Sequence, residues 1–200
     1  MLFGWEDLRA RLDALLGERR LITLTGPAGI GKSALARAVL SAQPRARMVD
    51  VTRGLPTDDP GGLLVLDTCD HRLDDCADLV DDLLSRPGDR RIVLTSREAL
   101  GTIGEHVLTV PPLPAAAAEA LFRHHAAGLS APPLEALEGF PLAIKIAAEH
   151  LLDGAALERM VKDGSFYDLP SGPGHPARHA SLRTAAAWSR ASCRPLDLHA

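Results

Sequence analysis

The chain opens with apolar residues at helical spacing. Across Trp5–Leu16, Leu8, Leu12, Leu15 and Leu16 fall on one stripe with charges opposite, which predicts an amphipathic helix. The rhythm then shortens. LITLT at Leu21–Thr25 is a β-prone run, and Ser33–Leu40 returns to helical spacing through Leu35, Val39 and Leu40. Further β-prone runs stand at Met48–Thr52, Leu63–Leu66, Ile92–Ser96 and Val107–Val110, the last stopped by Pro111-Pro112. His71–Leu84 fits a helix closed by Pro87-Gly88, whereas the Gly- and Pro-rich stretch Arg53–Gly62 excludes one.

Strands alternating with helices predict a parallel α/β sheet. Only the stretch 53–62 separates the second run from the third, which is short for a parallel crossover, so Met48–Thr52 is expected to be displaced or unpaired. Beyond residue 112 the pattern is helical only, with Pro114–Ala127 ended by Gly128 and Pro141–Leu152 as a second helix. A Pro/Gly/Ser stretch around Gly172–His175 reads as a linker. Ser181–Arg190 predicts one last helix, and the closing RPLDLHA has no evident core to join.

Composition narrows the classes. A length of 200 residues with 46% hydrophobic and 24% charged residues suits a globular domain with a small satellite. A net charge of −4 and 4% aromatics argue against direct binding of nucleic acid. Apolar runs of the Leu63–Leu66 kind are too short to span a membrane, and the N-terminus has no secretory pattern. Cys69, Cys76 and Cys193 lack zinc-ligand spacing, and the expected setting is a reduced cytoplasm. The histidines, including His124-His125, show no metal spacing either.

The strongest chemical signal lies between the first strand and its helix. Gly26, Pro27, Ala28, Gly29, Ile30, Gly31, Lys32 and Ser33 satisfy G-x-x-x-x-G-K-[ST], and Ala34 continues into the helix. The glycines let main-chain N–H groups converge on phosphates, Lys32 reaches the β- and γ-oxygens, and the Ser33 hydroxyl is a magnesium ligand. Asp67, closing the apolar run Leu63–Leu66, is the expected second magnesium ligand and a candidate catalytic carboxylate. Thr68 follows it where an acid would serve hydrolysis. Asp70 is the nearest alternative base, with a helix N-cap as its other reading. Arg97, just past the fourth strand, is either a γ-phosphate sensor or a surface arginine. ATP or ADP with magnesium is the expected cofactor. No N-K-x-D guanine signature occurs.

GPAGIGKS, LLVLDTCDH, RIVLTSREAL, VPPL and EGFPLAIKIAA, in that order, resemble the STAND class of P-loop ATPases. The likeness is to its NB-ARC-like bacterial members, found in large LuxR-type and antibiotic-regulatory transcription factors, and it covers roughly residues 3–190. It implies an α/β P-loop NTPase fold: an N-terminal helix (1–20), a nucleotide-binding domain (21–112), a helical ARC-like subdomain (113–163) and a linker with an incomplete winged-helix start (164–200). It also implies that Arg97 is the sensor arginine. Gly139-Phe140-Pro141 stands as the GxP motif, with Pro141 against the adenine; the residue-level alternative is a proline in the first turn of a helix. His179–Arg190 resembles the lead into a winged helix. Where that domain is missing, ADP is expected to leave faster than from an intact homologue. The implied role is a nucleotide-dependent switch whose hydrolysis is slow or absent, acting on an unknown protein partner or on parent-chain domains. A non-hydrolysing adapter and a small-molecule kinase are the alternatives.

Overall fold

The computed structural model describes residues 2–191 apart from 42, 44, 59–60, 127–129 and 173–176. The helix stop at Gly128, most of the linker at 172–175, Cys193 and the closing RPLDLHA lie outside the described residues. Helix α1 spans Glu6–Glu18, β1 Leu21–Thr25, α2 Lys32–Leu40, β2 Ala46–Asp50, β3 Leu63–Asp67 and α3 Leu73–Ser85. Then follow β4 Arg91–Thr95, β5 Glu105–Thr109, α4 Ala115–His125, α5 Pro141–Glu149, α6 Gly154–Asp163 and α7 Leu182–Ala191.

The strands form one parallel sheet in the order β2-β3-β4-β1-β5. Strands β1 and β3 are buried at every position, as strands covered on both faces must be. Alternation along each strand sends side chains to two cores. Ile22, Leu24, Val65 and Val93 join α1, α2, α4 and α5 on one face. Leu21, Leu64, Leu66, Ile92 and Leu94 meet Cys76, Val80 and Leu83 of α3 on the other. The edge strands β2 and β5 stay partly exposed.

Strand β2 corrects the sequence expectation. It starts at Ala46, two residues before the β-prone run, and pairs with β3 along its whole length, from Ala46↔Leu63 to Asp50↔Asp67. Ending at Asp50 leaves 51–62 for the crossover. A 3-10 turn at Val51–Arg53 begins it, capped by the Asp50 carboxylate, which accepts from Thr52 N at 3.1 Å. Gly62, at φ +65°, closes it against the Arg45 carbonyl, where a Cβ would fall 2.4 Å from the oxygen. Arg47 donates to Asp58 Oδ1 at 2.6 Å and ties the loop to the strand. The crossover is tight enough to need no helix.

Helix α3 also begins later than its periodicity suggests. Thr68 adopts a left-handed conformation (φ 68°), and Cys69–His71 forms a 3-10 turn before the helix. Residue Arg72, not Asp70, occupies the N-cap position, and no side chain caps it.

After β5 the chain packs α4 and α5 against the same core that holds α1 and α2. The join is made at Gly139 (φ +70°), whose carbonyl accepts from Leu113 N at 2.9 Å. A Cβ there would stand 2.3 Å from the Leu113 carbonyl oxygen, a main-chain atom that cannot rotate away. Gly139→Ala should therefore cost about 2–4 kcal/mol of stability. A thermal melt would show Tm lowered by roughly 5–10 °C; an unchanged Tm would contradict this packing.

Candidate functional site

The loop from Gly26 to Gly31 leaves the C-terminal end of β1, where parallel α/β sheets gather their ligands. Gly26, Gly29 and Gly31 have φ of 144°, 80° and 107°. L side chains rarely adopt those values, which is what favours glycine here. Ile30 turns inward and is buried in the core, anchoring the loop from below. Helix α2 begins at Lys32, so Lys32, Ser33 and Ala34 form its first turn, where unpaired N–H groups favour an anion. The loop is pinned from outside as well. Leu142 N donates to Gly29 O at 3.3 Å, and the Trp5 ring covers Gly31, where a Cβ would lie 2.2 Å from the indole edge.

Lys32 folds over the loop and donates to Gly26 O at 2.6 Å and Pro27 O at 3.1 Å. Burial pushes its pKa down to about 8; Asp70 and Asp67 pull it up, and Arg97 adds to the depression. An anion in the loop would restore the ammonium. Below pH 8 the charge is already present, so binding needs no proton; above it, each binding event must take one up. In magnesium-free buffer, ADP affinity should be level from about pH 7 toward pH 8 and fall as pH rises through it, by up to about tenfold per unit. Calorimetry in buffers of differing ionisation enthalpy checks this, since proton uptake should appear only on the alkaline side.

The Asp67 carboxylate, at the end of β3 and 2% exposed, accepts from Ser33 Oγ and from Thr95 Oγ1, both at 2.6 Å on Oδ1. Thr95 in turn accepts from Thr68 N at 2.8 Å, holding Thr68 in its left-handed conformation. Arg37 of α2 stands 3.7 Å from Asp67 Oδ2. Asp70 lies on the 3-10 turn beyond, and its Oδ1 accepts from Arg97 N at 2.7 Å and Arg97 Nε at 3.2 Å. Arg97 is thus held beside the loop by a buried carboxylate. Pro141 is the first residue of α5 and is buried.

These elements border a cavity of about 490 Å3. Gly29, Gly31, Lys32, Ser33 and Ala34 line it together with Asp70, Arg97 and Pro141. Gly26 and Pro27 contribute the carbonyls under Lys32, and Asp67 reaches it through Ser33. Sequence reasoning missed Thr95, Arg37, Trp5 and Lys145, which also stand at the site. Thr95 is set there by the strand register: Leu66 pairs with Leu94, so Thr95 is level with Asp67. The stretch read as a linker and winged-helix start returns to the site. His179 and Trp188 line the cavity, and the Trp188 ring meets that of His71 edge-on at 3.9 Å. Among the described residues no group of three or more His, Cys, Asp and Glu could hold a metal ion, and no helix is long and apolar enough to cross a membrane.

Comparison with known proteins agrees with this geometry. A Walker-type ATPase of Pyrococcus abyssi superposes with a TM-score of 0.60 at 15% identity, covering 82% of this chain and 72% of its own. A Signal Transduction ATPase with Numerous Domains from Pyrococcus horikoshii, carrying a tetratricopeptide repeat sensor, matches with a TM-score of 0.53 at 16% identity over 82% of this chain and 32% of its own. In sequence, a protein named as an HTH-type transcriptional regulator of Mycobacterium tuberculosis is 32% identical over 89% of the chain. The chain spans 26% of that relative's length. An uncharacterised protein of the same organism is 35% identical over 50% of the chain and 34% of its own length. No family model matches. The fold is that of the Walker-type ATPases, and the STAND resemblance read from the motifs agrees with both kinds of match.

Proposed function

We propose that this chain is a magnesium-dependent ATP/ADP-binding switch module, with slow or absent hydrolysis, serving a longer regulatory protein. The observation that carries it is the Ser33–Asp67 contact at 2.6 Å beside a glycine loop bearing Lys32. A hydroxyl and a carboxylate brought together at a helix N-terminus are the hard-oxygen donors that magnesium prefers. Magnesium bound there would neutralise charge between the β- and γ-phosphates. Lys32 would leave the Gly26 and Pro27 carbonyls for phosphate oxygens, and the amides of Gly29–Ala34 would receive the β-phosphate. Arg97, steadied by Asp70, would answer to the γ-phosphate, and Pro141 would bring α5 to the base. Because Arg97 belongs to the sheet and Pro141 to the helical part, a γ-phosphate gives differential contacts that can bias their arrangement.

Two observations favour weak catalysis. Thr68 follows Asp67 where an acid would orient water, and the carboxylate of Asp70 is committed to Arg97. Single-turnover assays with γ-labelled ATP should give phosphate release far below that of an efficient ATPase. Rapid, multiple turnover abolished by Lys32→Ala would refute the switch reading; turnover equal to that variant alongside retained binding would select the non-hydrolysing adapter.

A further inference from the structure

We infer that a second hollow beside the phosphate loop binds a small organic cation with an apolar body, and that this ligand is an input of the switch. The hollow has a volume of about 300 Å3, at the lower end of the range for small-molecule sites. Its walls come from the loop, from α5, α6 and α7, and from the 3-10 turns Glu135–Leu137 and Ser165–Asp168. Small side chains keep it open. Ala143 of α5 and Ala185 and Ala186 of α7 line it where larger residues would fill it. Aromatic rings supply much of the rest: Phe140, Phe166 and Tyr167 line it, with the last two rings edge to face at 6.2 Å. Phe166 is buried, whereas Tyr167 is 42% exposed.

Charge indicates the ligand class. Among the described residues, Glu138 is the one charged residue that lines the hollow. It follows the turn Glu135–Leu137 in a left-handed conformation (φ 48°), which a residue other than glycine adopts at a cost. Among the described residues its carboxylate has no hydrogen bond or ion pair. A carboxylate beside aromatic rings attracts an ammonium group, which the rings favour as well. An anion would be repelled there, and a neutral molecule would leave the carboxylate unused. The placing makes such a ligand an input. Ala28 lines both this hollow and the nucleotide cavity, and the Pro27 carbonyl beside it accepts from Lys32 at 3.1 Å. Phe140 directly precedes Pro141. A ligand seated against Pro27, Ala28 and Phe140 therefore bears on the lysine and the proline that the nucleotide would engage. By linkage, whatever factor the ligand imposes on ADP affinity, ADP imposes on the ligand's.

The input role rests on the switch reading above, whereas the cation site does not, and the test separates them. The probe is 2-phenylethylamine, with 3-phenylpropionate as its anionic counterpart. In 15N-labelled protein the amine should shift the amides of Ala143 and Ala186, with a Kd of about 1 mM or tighter. The acid should bind at least roughly tenfold more weakly, and Glu138→Gln should weaken the amine by a similar factor. Ala186→Phe, at an exposed position of α7, should fill the hollow and abolish amine binding. Saturating amine should change ADP affinity by about fivefold or more. Equal binding of amine and acid, or amine binding indifferent to both substitutions, would overturn the cation site. Amine binding with ADP affinity unaltered would overturn the input role. A dimer in sedimentation that Ala186→Phe dissociates would seat a second copy in the hollow and overturn the small-ligand reading. Wild-type protein that binds the amine but no ADP would remove the switch and its input together, and leave the cation site standing.

Discussion

Lys32→Ala should reduce ATP and ADP affinity by roughly a hundredfold or more, to the edge of detection by calorimetry. The ammonium is the only lysine in the loop, and its present partners are the carbonyls of Gly26 and Pro27. Those carbonyls can return to solvent once the side chain is gone, so the fold should survive the substitution. The glycine conformations and the Ile30 anchor do not depend on it. An unchanged Tm with lost affinity would place the deficit in charge–phosphate contact. Retained affinity would mean that the polyphosphate lies elsewhere.

Asp67→Asn should abolish the gain in ATP affinity that magnesium provides, a loss of roughly tenfold to a hundredfold in the presence of the metal. Without magnesium the variant and wild type should bind alike, because the carboxylate faces Ser33 and Thr95 and not the loop amides. An amide keeps one acceptor oxygen for those two hydroxyls, so the network linking Thr68, Thr95 and Ser33 should persist. Titration of ATP with and without magnesium on both proteins reads the difference. A variant that still responds fully to magnesium would place the metal on other ligands.

The two substitutions probe parts of the site that were unequally legible in the sequence. The loop was readable because its chemistry is consecutive: three glycines, a lysine and a serine between a strand and a helix need no tertiary information. Asp67 was readable because the apolar run before it is buried at every position. The partnership of Asp70 with Arg97 was not, since the residues lie far apart in sequence and meet only because β3 and β4 are neighbours. Thr95 was missed for the same reason; a threonine closing a strand reads as ordinary β-propensity until the register sets it beside Asp67. The placing of β2 failed on a length rule, because the strand shifted toward its N-terminus and Gly62 allowed a close return that composition does not reveal. The N-terminal helix was correct as a helix, but nothing in its periodicity indicated that Trp5 would lie on Gly31.

Position also explains the return of the C-terminal stretch. Ser181 caps α7, accepting from Thr184 N at 3.1 Å, and Ala185 is buried in the core shared by α4 and α5. That anchorage carries Trp188 onto His71, beside the Asp70–Arg97 pair. The sequence predicts the helix at Ser181–Arg190, but not the surface on which it packs.

A crystal grown with magnesium and ADP tests the central claim most directly. The β-phosphate should appear within hydrogen-bonding distance of the amides of Gly29–Ala34, with Lys32 turned from Gly26 O toward its oxygens and the metal beside Ser33. Density for the diphosphate outside that turn of main chain, with Lys32 still bonded to its own loop, would contradict the account.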